Sequence, residues 1–244
     1  MKGKRVLVTG GGSGAGADLA LGFAKAGAEV VICGRRMAAL AEVAAQHSAI
    51  RALVCDITNE RSVNDLYAQA GSIDIVIANA GQADSASFVK TSLDQWNAML
   101  AVNLTGVFLT FREGLRQMQG WGRLVAVCST AGVKGYAKVA PYAAAKHGVM
   151  GVVRSLALEV ARSQVTVNAI CPGFLDTEMT EHSIRIISEK TGRSREQAKA
   201  ALEGLNPQGR LFQPAEVTAA ALYLCGPGSE GVNGQSLVIA GGEV

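Results

Sequence analysis

The sequence predicts an α/β protein built on a doubly wound parallel sheet of seven strands. Three observations carry this. Short β-branched runs alternate along the whole chain with longer Ala- and Leu-rich stretches of helical spacing. The short runs are apolar at nearly every position, as strands covered on both faces should be. The 244 residues contain no linker, low-complexity tract or internal repeat, so one domain is expected. Strand and helix in regular alternation imply a parallel sheet with helices on both faces. The right-handed crossover rule then makes double winding the natural topology.

Taken in order, Arg5–Val8 is the first apolar run, and Gly14–Ala26 is the first Ala-rich helical stretch. Glu29–Cys33 and Ile50–Cys55 read as the second and third strands, with helical spacing over Met37–His47 between them. The helix Glu60–Ala70 leads to a fourth strand at Asp74–Ala78. A long helix over Leu93–Gln119 precedes the strand Leu124–Cys128, and a second long helix, Val139–Ala161, precedes Val165–Ile170. Helix Pro214–Leu224 and strand Ser236–Ile239 complete the series. Thr180–Leu205 breaks the rhythm, being polar and charge-mixed. Its apolar residues Ile184, Ile186, Ile187, Ala198, Ala201, Leu202 and Leu205 fall at helical spacings. Two short amphipathic helices parted near Thr191 and Gly192 are expected there, as a small lid over one edge of the sheet.

Composition excludes several classes. With 49% hydrophobic residues and 5 Pro, the chain is not of the disordered type. No apolar run approaches the ~18–20 residues that span a bilayer. Met1 to Arg5 runs directly into Val6 with no apolar signal region, so a cytoplasmic location is expected. The net charge of +3, from 23 basic and 20 acidic residues, is too small and too evenly spread for a nucleic-acid surface. The five cysteines, Cys33, Cys55, Cys128, Cys171 and Cys225, form no CxxC pair and are expected as buried free thiols. His47, His147 and His182 lie far from them and from one another in sequence, so no metal site is expected.

The segment from Thr9 to Gly16 follows the first strand and opens the first helix. Its Gly10, Gly12, Ser13, Gly14 and Gly16 allow a tight turn and a close approach to a pyrophosphate, whose charge would rest on the N–H groups of the helix start. A plain flexible turn would also be rich in glycine, but not placed between this strand and this helix. In such folds the tip of the second strand faces the adenosine ribose. Here Gly34 stands where an acidic residue would exclude a 2′-phosphate, and Arg35 follows it. A guanidinium suits a phosphate dianion, so NADP(H) is favoured and NAD(H) is the alternative. Asp56, after the third strand, fits an acceptor for the adenine amino group, or else a surface turn.

Together these residues resemble the short-chain dehydrogenase/reductase family. The resemblance covers nearly the whole chain and rests on Thr9–Gly16, Asp56, Asn79-Ala80-Gly81, Asn103, Ser129, Tyr142, Lys146, and Pro172-Gly173 through Thr177. Within the family the chain looks most like 3-oxoacyl-thioester reductases and 3-hydroxyacyl-CoA dehydrogenases. The resemblance implies a Rossmann-type fold, a homotetramer packed through the two long helices, and a small-molecule or acyl-thioester substrate. It adds Ile57, Asn79, Ala80, Gly81, Tyr142, Lys146, Pro172, Gly173 and Thr177 to the cofactor site. It assigns Asn103 to a water that relays protons to Lys146.

The chemistry can be read beside the resemblance. Hydride transfer to a carbonyl leaves an alkoxide that must be protonated, so the site needs a general acid. A tyrosine ordinarily ionises near ~10, and a neighbouring ammonium favours the phenolate. Tyr142 and Lys146 are four apart in a helix and project from one face. Ser129, just after its strand, can donate to the substrate oxygen. Tyr136 has Ala140 rather than a lysine four residues on, and reads as part of the pocket lining. Departures from the family are Ala15, where Ile is usual, and Asp18, unusual so near a phosphate-binding helix start. Gly120 and Ser163 stand where carrier-protein-dependent reductases commonly have basic residues. An acyl-CoA or a free ketone is therefore expected over an acyl group on carrier protein. A second enzyme reading is an NAD-dependent catabolic dehydrogenase of hydroxyacyl-CoA or a small secondary alcohol. A non-catalytic dinucleotide sensor on the same fold would have little need of Ser129, Tyr142 and Lys146 together.

Overall fold

A computed structural model describes residues 1–244. Seven strands, β1 (Arg5–Thr9), β2 (Glu29–Gly34), β3 (Ile50–Val54), β4 (Ile75–Ala78), β5 (Trp121–Val127), β6 (Gln164–Pro172) and β7 (Ser236–Ile239), form one sheet in the order β3-β2-β1-β4-β5-β6-β7. Every pairing is parallel. The winding reverses between β1 and β4, and a crevice opens there at the carboxyl ends of the strands.

Side-chain alternation explains why the strands are largely apolar on both faces. Leu7, Val31, Val76, Leu124 and Val167 point to one face, against Tyr67, Phe111 and Val153. Val8, Ile32, Ile77, Val125 and Ile170 point to the other, against Leu19, Phe23 and Val217. The first face carries α3 (Glu60–Ala70), α5 (Gly106–Gln117) and α6 (Ala140–Glu159), and the second carries α1 (Gly14–Lys25), α2 (Met37–Ala44) and α9 (Pro214–Cys225). All five cysteines are buried free thiols. No helix is long and apolar enough to cross a membrane.

Four details differ from the sequence-based expectation. The stretch Leu93–Gln119 is not one α-helix: α4 (Leu93–Leu100) passes through a π-turn at Ala101–Thr105 before α5 begins. The wide turn lets the buried Asn103 fold its amide onto Gln82, a contact 21 residues away that no local pattern encodes. Strand β5 starts at Trp121, because Trp121 and Gly122 are drawn into register with Gln164 and Val165 of β6. Strand β6 runs on to Pro172, where β7 supplies its partners. Cys55 and Cys128 fall just beyond their strands. Asp18 also finds its reason: it accepts a hydrogen bond from Thr218 of α9 and so ties α1 to that helix.

The segment after β6 folds as α7 (Glu178–Thr191) and α8 (Arg195–Glu203), parted at Gly192, whose φ of +69° closes α7. Ile184, Ala198 and Leu202 bury one another against Leu211 and Phe174, forming a small core separate from those of the sheet.

Candidate active site

A cavity of about 770 Å³ lies along the carboxyl edge of the sheet, at the winding reversal. Every candidate residue named from the sequence lines it except Thr9. Thr9 is buried, and its hydroxyl accepts from the backbone N–H groups of Asn79 and Ala80, both at 3.0 Å. Thr9 is thus the one expected cofactor residue that does not line the cavity. Thr9 holds the end of β1 to the loop after β4, so that loop, rather than Thr9, forms the wall. Asn79 strengthens the same junction by donating to the carbonyl of Thr9 at 3.0 Å.

The glycine turn is built by close approach. At Gly16 a Cβ would stand 2.2 Å from the Gly10 carbonyl oxygen, and Gly10 has a φ of +67° with a Cβ position 2.9 Å from Ala80. Only glycine satisfies both places. Gly14 rests on Thr177, whose methyl is 3.3 Å from its Cβ position, so the turn and the start of α7 face each other. Arg35 and Arg36 are exposed at the tip of β2 on the cavity rim. Neither takes part in an ion pair. Beside them, Asp56 accepts through one carboxylate oxygen from the N–H (2.9 Å) and hydroxyl (2.7 Å) of Thr58. Those bonds hold its carboxyl below the usual range, with a smaller push from Arg35. One oxygen of Asp56 thus makes a turn with Thr58, and the residue lines the cavity. A glycine cradle that side chains would fill and two unpaired guanidiniums fit the diphosphate and 2′-phosphate of NADP(H).

At the other end, α6 presents Tyr142 and Lys146 one turn apart. The Lys146 ammonium is 5.7 Å from the Tyr142 ring centre and donates to the Val127 carbonyl at 3.0 Å. Lys146 is buried and Tyr142 half-buried. Ser129 caps the short turn Thr130–Gly132, its oxygen accepting from the Ala131 N–H at 3.1 Å. Its hydroxyl proton is thereby left to point elsewhere. Asn103 donates to the carbonyls of Gln82 (2.9 Å) and Met99 (3.1 Å) and accepts from the Gln82 N–H (3.2 Å). With both amide hydrogens committed, a water at Asn103 would rest on a remaining oxygen lone pair or on the backbone.

Tyr136 lines the cavity, as expected. Its hydroxyl donates to Glu243 at 2.6 Å and meets the Thr130 hydroxyl at 2.7 Å. Burial and then the Glu243 contact raise its ionisation well above the ordinary range. It stays a neutral phenol whose hydroxyl is occupied by Glu243 and Thr130. Sequence reasoning missed Glu243 altogether, because nothing local marks a glutamate that meets a tyrosine 107 residues earlier. It also missed Lys138, a non-glycine residue at φ +68° whose carbonyl accepts from the Ala86 N–H at 2.9 Å. Its signal was absent too, since β-carbon strain is invisible in sequence.

A family model described as short chain dehydrogenase matches residues 4–185. The chain is 36% identical over 255 residues to a D-beta-hydroxybutyrate dehydrogenase of Cupriavidus necator, covering 100% of this chain and 99% of that one. It is 35% identical over 253 residues to a 3-oxoacyl-[acyl-carrier-protein] reductase of Aquifex aeolicus, covering 99% and 98%. Among solved structures, a single-residue variant of actinorhodin polyketide ketoreductase with NADPH superposes with a TM-score of 0.93 at 33% identity, over 98% of this chain and 97% of that one. The chain belongs to the short-chain dehydrogenase family. It is accordingly an NAD(P)-dependent oxidoreductase acting between C=O and CH–OH.

Proposed function

We propose that the protein is a ketoreductase that uses NADP(H) to interconvert a 3-oxoacyl thioester, or a related β-keto compound, with its 3-hydroxy counterpart. The observation that carries this reading is the buried Lys146 set one helical turn from Tyr142. The relatives' names support the substrate class, since a 3-oxoacyl group and a β-hydroxybutyrate differ at the same carbon position. NADP(H) is favoured by Arg35 and Arg36, and by the NADPH of the actinorhodin ketoreductase.

When bound, the nicotinamide supplies the hydride. The chain's own residues do the rest. Gly10, Gly12, Ser13, Gly14 and Gly16 offer backbone to the diphosphate, Arg35 takes the 2′-phosphate, and Asp56 and Ile57 flank the adenine. Ala80 and Gly81 keep the cavity floor thin, while Pro172, Gly173 and Thr177 border the nicotinamide. Ser129 donates to the substrate oxygen. Tyr142 holds the proton that this oxygen receives, and Lys146 keeps a positive charge beside the phenol. Asn103 supports a water through which Lys146 is reprotonated.

In this reading α7 and α8 form a lid, as Ile186, Ile187 and Leu205 face the cavity while the helices bury a core of their own. The protein is taken to be a cytoplasmic homotetramer joined through α5 and α6. Phe108 on α5 (45% exposed) and Leu158 on α6 (80% exposed) favour this. Most other apolar residues of these helices are covered within the chain, so the exposed patch is smaller than the sequence led us to expect. An acyl-CoA is preferred over acyl-carrier protein: Gly120 and Ser163 precede the amino ends of β5 and β6, and of the adjacent basic residues Arg123 is buried against Trp121 while Arg162 alone is exposed. Initial rates of NADPH oxidation with 3-oxoacyl-CoA, 3-oxoacyl-carrier protein and simple ketones test the assignment. Turnover of none of them would overturn it.

A further inference from the structure

Between Ser129 and Tyr142 the chain forms a loop that walls the cavity, and this loop is weakly held by its own backbone. Gly135, Tyr136 and Ala137 make no backbone–backbone hydrogen bond. The loop is held instead through side chains, with Tyr136 on Thr130 and both Tyr136 and Lys134 on one carboxylate from the stretch after β7. Glu243 is almost fully buried at its side chain (5% exposed), and its Oε1 accepts from Lys134 at 2.9 Å and from Tyr136 at 2.6 Å. Lys134 also donates to the Glu243 backbone carbonyl at 3.3 Å. The other oxygen, Oε2, lies 3.5 Å from where a Cβ at Gly173 would stand. One side chain thus touches the substrate loop on one side and the turn after β6 on the other. Gly241 and Gly242, at φ +58° and +92°, make the sharp bend that aims it there.

We propose that Glu243 is a positioning residue that sets the substrate wall of the cavity by clamping Tyr136 and Lys134. With its hydroxyl donated to Glu243 and hydrogen-bonded to Thr130, Tyr136 has no proton to offer the substrate and presents its ring to the cavity. The clamp therefore makes this wall apolar, suited to the carbon chain of an acyl substrate rather than to a polar substituent. It also keeps a second phenol from competing with Tyr142 for the reacting oxygen. The lysine balances the charge of a carboxylate that would otherwise sit unpaired beside the cavity. This inference rests on the ketoreductase reading given above.

The test compares Glu243→Ala, Glu243→Gln, Tyr136→Phe and the double variant Glu243→Ala/Tyr136→Phe. Amide hydrogen exchange on the whole protein reads the clamp directly, and steady-state kinetics with a 3-oxoacyl-CoA read its consequence. In Glu243→Ala, protection over residues 131–139 falls while α6 is unchanged. The KM for the ketone rises about tenfold, the scale of one lost hydrogen bond to a charged group, and the KM for NADPH does not move. Glu243→Gln, which keeps an oxygen acceptor for Tyr136, restores most of both readouts. The double variant is no worse than Glu243→Ala, because the two residues act as one unit. Unchanged exchange over 131–139 in Glu243→Ala would overturn the proposal, as would losses that multiply in the double variant. So would an equal loss in kcat and in both KM values. If the unsubstituted protein turned over no 3-oxoacyl substrate, the functional reading would fail, and the exchange measurement would still decide the clamp.

Discussion

Lys146 stands one helical turn beyond Tyr142, its ammonium 5.7 Å from the phenol ring centre and 3.0 Å from the Val127 carbonyl oxygen. The second contact matters as much as the first. A buried ammonium needs a partner to keep its charge, and a carbonyl supplies one without neutralising it as a carboxylate would. The positive field is thus kept for the tyrosine. Tyr136, by contrast, is held as a phenol by burial and then by the Glu243 carboxylate, both of which disfavour its phenolate.

Cofactor choice follows from the rim of the cavity. Arg35→Ala removes an unpaired guanidinium from the tip of β2 and should raise the KM for NADPH about tenfold, the effect of one charge-assisted bond. The KM for NADH should stay where it was. Equal changes for both cofactors would make Arg35 a solvated surface residue.

The glycine turn offers a sharper steric test. In Gly16→Ala the new methyl carbon would lie 2.2 Å from the Gly10 carbonyl oxygen, so backbone must shift. Folding stability should fall by about 1–3 kcal/mol, as in other overpacked sites, and NADPH binding, followed by its fluorescence, should weaken at least about tenfold. Binding of unaltered strength would show that the turn does not shape the cofactor site.

The lid makes a prediction about motion. Residues 191–197, which join α7 to α8, are all exposed, whereas the helices carry their own small core. Limited proteolysis should cut near Gly192, and cofactor with substrate should suppress the cut if the lid closes over them. Over Thr180–Leu205 five basic residues against four acidic give a net charge of about +1, which should steer an acidic carrier protein only weakly. Identical cleavage with and without ligands would mark α7 and α8 as fixed packing.

Assembly can be read by sedimentation. Phe108 and Leu158 are expected at subunit contacts, giving a tetramer at micromolar concentration, and Leu158→Glu should shift it toward smaller species. A monomer for the unaltered chain would contradict the homotetramer.

Much of this architecture was legible in the residues, for identifiable reasons. Strands β1, β2, β4, β5 and β6 are buried along most of their length, so each left a largely apolar run, and Gly192 marked the break between α7 and α8. Tyr142 and Lys146 were legible because a helix converts a spacing of four into a shared face. What escaped was non-local. The role of Thr9 depends on the loop at Asn79 and Ala80, and that of Asp18 on Thr218, 200 residues away. The π-turn at Ala101–Thr105 goes with the Asn103 contact to Gln82, and Glu243 has meaning only beside Tyr136. Short local patterns cannot register contacts made across the fold.

The most direct test of the account is NADPH oxidation with a short 3-oxoacyl-CoA by the unaltered protein and by Tyr142→Phe, each with NADPH affinity measured separately. The account predicts steady turnover by the first. It predicts a fall of ~10²-fold or more in the second, the usual scale for an acid–base group, with NADPH bound equally well by both. Turnover of Tyr142→Phe close to that of the unaltered protein would contradict it.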